Sequence, residues 1–177
     1  MKIPLFFIII FSFVGQINAQ LAIPSFTGAD LNEKKIDFPS DLIGKKTLIG
    51  FAFSRKSQDA IQTWAEPVYY EFIDEESLAS MVYDVNVYLV IVLSKSGNTF
   101  KEKVKRELRE NILEDFYPNI VLCDAERKDI KEELNIDQQD APTIYALDAK
   151  GRIKETESGS FSMKKMERLS DHLEMEN

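Results

Sequence analysis

The stretch "FAFSRKSQDAIQTW" places Ser54 and Ser57 three positions apart, with Arg55 and Lys56 between them, where an apolar run gives way to a helical pattern. Three chemistries fit those residue types. The two hydroxyls can close a helix N-terminus, Ser54 as N-cap and Ser57 as a first-turn residue, which stabilises a helix by about 0.5–2 kcal/mol. A serine can act as a nucleophile with Lys56 as base, but that requires an aligned base and an oxyanion hole. The chain has no Gly-x-Ser-x-Gly elbow and a single histidine, His172, so a hydrolase is disfavoured. Arg55 and Lys56 can also hold a carboxylate or phosphate beside the helix dipole.

Cys123 is the only cysteine, so no internal disulfide can form. It ends the apolar run "NIVLC" and precedes Asp124, whose charge raises a thiol pKa, so it reads as a small buried hydrophobe rather than a reactive thiolate. His172 has no second nitrogen or sulfur ligand at metal spacing, and no metal or cofactor is expected.

The elements that must position these residues follow from periodicity. "IPSFTGADLNEKKIDFPSDLIGKK" reads as an opening hairpin around Ile36 and Phe38. "KTLIGFAF" and "NVYLVIVL" read as buried strands, and between them "KSQDAIQTWAEPVYYEFID" reads as a helix with Ile61, Trp64, Val68 and Phe72 on one face. A turn at "SKSGN", a helix from Phe100 to about Ile112, the strand "NIVLC" and a helix from about Arg127 to Leu134 come next. Two strands joined at Lys150 and Gly151, then a helix from about Ser162, complete the pattern. Buried strands separated by helices predict an α/β three-layer sandwich, with a mostly parallel sheet, an antiparallel C-terminal hairpin and helices on both faces.

The order of these elements resembles the thioredoxin fold, and within it the TlpA-like and redoxin branch, over about residues 23 to 175. Three segments carry the likeness: "FPSDLIGKKTLIGFAFS", the helix directly after it, and "DAPTIYALDAKGRI". The helix and strand between Phe100 and Cys123 match that branch's insertion. Where the branch places Cys-x-x-Cys, this chain has Ser54, Arg55, Lys56 and Ser57. The resemblance implies a cis bond before Pro142, with Ala141, Pro142 and Thr143 presenting backbone groups to an extended peptide. Phe53, Trp64 and Tyr69 are apolar neighbours of that edge or plain core. "LIGFAFSRKSQDAIQTWAEPVYYEF" is also similar, less closely, to mitochondrial ATP-synthase assembly factors with a thioredoxin-like domain and no Cys-x-x-Cys pair.

The chain has 177 residues, 44% of them hydrophobic and 29% charged, enough for one sizeable core. "MKIPLFFIIIFSFVGQINAQ" reads as a secretory signal over residues 1–19 followed by one thioredoxin-like domain over 20–177. Its apolar stretch, Leu5 to Val14, falls short of the roughly 20 residues a membrane span needs, so no stable span is expected after cleavage. Removing Lys2 changes the formal charge of -8 to -9 and disfavours nucleic acid as a partner. The most basic stretch, "KEKVKRELRE", holds three glutamates and reads as a solvated helix face. The expected function is an exported, periplasmic or secreted, module without dithiol chemistry. It binds a protein or peptide segment, such as an envelope protein during assembly, against Arg55, Lys56 and Ala141 to Thr143. The alternative is a thiol-disulfide oxidoreductase or redoxin-type antioxidant protein working through Cys123 or a partner's thiols.

Overall fold

The computed structural model describes residues 22–93 and 97–175. The leader read over residues 1–19 lies outside the described residues, as do the first three positions, 94–96, of the "SKSGN" turn. Seven strands form one sheet: β1 (Phe26–Asp30), β2 (Lys35–Phe38), β3 (Lys46–Ala52), β4 (Val85–Val92), β5 (Ile120–Cys123), β6 (Thr143–Leu147) and β7 (Ile153–Ser158), in the order β2-β1-β5-β4-β3-β6-β7. The helices are α1 (Arg55–Phe72), α2 (Asn98–Asn111), α3 (Arg127–Glu133) and α4 (Met163–Ser170).

The expectation of a mostly parallel sheet needs correcting, because the sheet is mixed. Only β3–β4 and β4–β5 run parallel. β1 lies antiparallel to both β2 and β5, and β6 antiparallel to both β3 and β7. Tight turns make β1–β2 and β6–β7 antiparallel, whereas β1–β5 and β3–β6 are antiparallel because the long intervening chain brings each hairpin back to the central strands in the reverse direction.

Alternation along the central strands explains their unbroken apolar lettering. Leu48, Gly50 and Ala52 of β3 face α1, whereas Ile49 and Phe51 face the other way, and both faces are buried. On the first face, Ile61, Trp64, Val68 and Phe72 of α1 pack with Val104 and Leu108 of α2 and Met166 and Leu169 of α4. On the second, Ile130 of α3 and Leu134 just after it join Leu42 and an aromatic group of Phe26, Phe38, Phe51, Phe53 and Tyr145. Gly50 permits the close seat of α1, since a Cβ there would lie 2.6 Å from the Ile144 side chain and 3.1 Å from that of Ile61. Trp64 is fully buried, donates its indole N–H to the Gly159 carbonyl at 3.0 Å and stacks edge-on with Phe161. That contact ties α1 to the turn after β7.

A second correction concerns the proline. The Ala141–Pro142 bond is trans, and the only cis peptide among the described residues is Phe38–Pro39. Trans is the lower-energy form of an X-Pro bond by about 0.5–1 kcal/mol. Here Pro142 is buried and leads straight into β6, its carbonyl accepting from the Gly159 N–H at 2.9 Å and the Ser158 hydroxyl at 3.1 Å.

Candidate functional site

β3 leads into α1 at Phe53 and Ser54, and the junction is closed by side chains of its own. Ser54 has extended dihedrals, φ -130° and ψ 168°, and its Oγ accepts from the Ser57 N–H at 3.2 Å. Ser57 answers in kind: its Oγ accepts from the backbone N–H groups of Phe53 and Ser54, each at 2.8 Å, and its hydroxyl donates to the Ser54 carbonyl at 3.0 Å. This is a reciprocal capping box, with serine where Glu or Gln usually stands. Ser57 is fully buried and Ser54 partly so. The sequence pointed to Ser54 as the cap. It gave no sign that Ser57 also takes the amides of Phe53 and Ser54, because a serine at that position has many other uses.

Arg55 and Lys56 project into solvent from the first turn of α1. Arg55 is held by Glu107 of α2 at 2.5 Å and by Asp59 at 3.2 Å. Its guanidinium draws the Glu107 carboxyl below the usual range, and the same pairing raises the Arg55 pKa. Glu107 is the neighbour that sequence reasoning missed, because 52 positions separate the pair and nothing local announces the contact. Lys101 of α2 reaches Asp124 at 2.7 Å, so α2 is pinned along the same edge, above the ends of β3 and β5.

The other expected site residues are placed differently. Ala141 is half-buried, while Pro142 and Thr143 are buried. With the Pro142 carbonyl already taken by Gly159 and Ser158, that backbone group is not offered to a peptide. Phe53 and Trp64 are core, and Tyr69 is half-buried on the outer side of α1. Cys123 is fully buried and two strands from β3, roughly 10 Å at the usual strand spacing. Burial pushes its thiol up to about 11, with Asp124 adding a smaller rise and the Ala125 N–H, 3.4 Å from Sγ, opposing it. Desolvation rather than Asp124 is thus the main cause. His172 lies beyond α4, 3.9 Å from Glu155, and no cluster of metal-ligating side chains is found among the described residues.

The geometry therefore assembles a helix N-terminus whose two hydroxyls are spent on its own backbone, with a cationic pair at its rim and no sulfur. Solved structures share the fold. The thioredoxin domain of a thiol-disulfide oxidoreductase from Bacteroides vulgatus superposes with a TM-score of 0.61 at 23% identity, covering 88% of this chain and 98% of that one. StoA from Bacillus subtilis gives 0.54 at 17% identity, with coverages of 85% and 98%. BsSco, a member of the Sco family of cytochrome c oxidase assembly proteins, gives 0.57 at 14%, with coverages of 86% and 92%. At these identities the likeness establishes the thioredoxin-like fold alone. No individually curated protein is similar enough to the chain to count as a match. The family model described as ATP10 protein matches residues 16–174, nearly the whole length, and the chain belongs to the ATP10 protein family.

Proposed function

We propose that the protein is an assembly module that works by binding a protein segment and has no dithiol redox chemistry of its own. The observation that carries this reading is the junction. The positions that, by the resemblance, correspond to the redox pair hold two serines, and both hydroxyls serve as caps for α1. A serine has no thiolate with which to attack a disulfide. Cys123 offers no substitute, because a thiol held near 11 is almost wholly protonated at neutral pH.

The family name points to the ATP synthase, and the partner class we propose is a subunit of that complex before it is incorporated. The proposed contact edge is the exposed Arg55 and Lys56, just past the end of β3, with Ala141, just before β6, whose Thr143 pairs with Phe51; Pro142 and Thr143 are its buried support. The leader-like first nineteen residues favour a periplasmic or secreted setting, with residues 20–177 acting as one unit. The test is site-specific photocrosslinking in cells that produce the protein. A photoreactive residue at Lys56 should capture an ATP-synthase subunit, and one at Lys150, at the opposite end of the strands, should not. Equal capture from both positions, or none from position 56, would count against this edge.

A further inference from the structure

Along its outer side α1 forms one wall of a groove of about 590 Å³, and the end of α2 with the chain leading to β5 forms the other. Its floor is small and apolar at Ala65 and aromatic at Phe116. Tyr70 and Leu113 stand on the two walls and remain 48% and 52% exposed, although both are large apolar side chains. No cation lines the groove among the described residues, while Glu66 and Glu110 do. The neighbouring cation in sequence, Arg109, is turned away, donating to the Leu31 carbonyl with its guanidinium 5.9 Å from the centre of the Tyr117 ring. Burial, together with the Asp115 and Asp74 carboxylates, raises the pKa of Tyr69 at the same place, in keeping with a negative local field.

We propose that this groove docks a cationic amphipathic helix of a partner protein, with apolar side chains on Tyr70 and Leu113 and lysine or arginine against Glu66 and Glu110. The shape argues for a helix. The lining positions on α1 run from Gln62 to Tyr70, about 12 Å at 1.5 Å per residue, which is two turns of a partner helix. Both walls are built from helical turns and the chain at their ends, with no open strand edge among them, so recognition must come from side chains rather than from an added strand. The sign of the partner's charge follows from the rim: an acidic border around an apolar floor attracts cations and repels an acidic helix. This surface lies apart from the Arg55–Lys56 edge and does not depend on it.

The test uses the full chain at physiological salt and a fluorescein-labelled helical peptide of leucine at i, i+3, i+4 and i+7 spacing, with lysine elsewhere. Two comparison peptides share its length, one with glutamate in place of lysine and one with the leucine order scrambled. Fluorescence anisotropy should show saturable one-to-one binding of the first peptide and markedly weaker binding of the other two. The pair Glu66→Lys and Glu110→Lys turns two attractions into two repulsions and should weaken binding by about tenfold or more. Tyr70→Ala with Leu113→Ala, which leaves the charge unchanged, should weaken it about fivefold. Glu133→Lys with Asp137→Lys, exposed on and just after α3, makes the same change in net charge and should leave affinity within about twofold. The proposal is overturned if that control loses as much as the groove pair, if neither groove variant alters binding, or if the glutamate peptide binds as well. It is overturned too if sedimentation shows a dimer that Leu113→Ala dissociates, since the groove would then be covered by a second copy. The same holds if deleting residues 1–19 uncovers binding that the full chain lacks.

Discussion

Restoring sulfur at the junction is the most informative perturbation of the site. In a Cys123→Ala background, Ser54→Cys with Ser57→Cys removes a cap and a buried acceptor together. The cap contributes about 0.5–2 kcal/mol. The Ser57 hydroxyl takes part in three backbone hydrogen bonds, from Phe53 and Ser54 and to the Ser54 carbonyl, and net values of about 0.5–1.5 kcal/mol each apply to such bonds. Sulfur retains part of them as a weaker acceptor, so the reduced variant should lose about 2–4 kcal/mol. For a protein of this size that is roughly 6–12 °C in Tm. The hydroxyl oxygens already stand 3.4 Å apart, and the longer C–S bonds bring the sulfurs closer to the roughly 2.05 Å of a disulfide. Closing so small a loop restores about 2 kcal/mol. The oxidised variant should therefore melt above the reduced one, titrate no free thiol and reduce insulin in the presence of a dithiol, with the parent at background. At position 54 the free amides of α1 and the charges of Arg55 and Lys56 favour a thiolate, so alkylation should report a thiol pKa below the ordinary 8.5 or so. Insulin reduction by the parent would refute the reasoning. So would a folded double variant that keeps two free thiols after oxidation.

Three further expectations can be checked independently. Because Cys123 ionises near 11 in the folded protein and near its ordinary value when unfolded, the unfolded chain loses that proton first as pH rises; stability should fall from about pH 8.5 upward, and urea titrations at pH 8 and 10 should show a shallower fall in Cys123→Ala. Trp64→Phe removes the indole N–H from the Gly159 carbonyl and part of a buried ring, and should cost about 1–3 kcal/mol by chemical denaturation, with no change in far-ultraviolet circular dichroism. If the first nineteen residues are a cleaved leader, mass spectrometry of the exported fraction should find a new N-terminus near Gln20, and an intact Met1 there would contradict that reading.

The central strands and α1 were legible because burial on both faces writes unbroken apolar runs, and because Ile61, Trp64, Val68 and Phe72 recur at helical spacing. Strand direction left no such trace. Nothing in "FTGAD" says that β1 runs against β5, since pairing direction depends on how the long intervening chain returns to the sheet rather than on which side chains are buried. The same holds for the proline. Nothing near Pro142 in the sequence announces that Gly159 and Ser158 take its carbonyl, contacts 16 or more positions away. At the site, the serine pair was visible and so was the capping role of Ser54, but not the hold of Ser57 on the Phe53 and Ser54 amides. The anchoring of Arg55 by Glu107 was not, because it exists only once α2 lies beside α1. The acidic groove was hidden in the same way, since Leu113 reads as an ordinary helix-end residue until the fold leaves it uncovered.

The central claim is that the protein promotes assembly by binding and without thiol chemistry. It is tested most directly by deleting the gene and quantifying intact ATP synthase on native gels, with complementation by the parent chain and by Cys123→Ala. The account predicts that deletion lowers the assembled complex and that both chains, produced at equal levels, restore it equally. Undiminished ATP synthase after deletion, or restoration by the parent but not by Cys123→Ala, would contradict it.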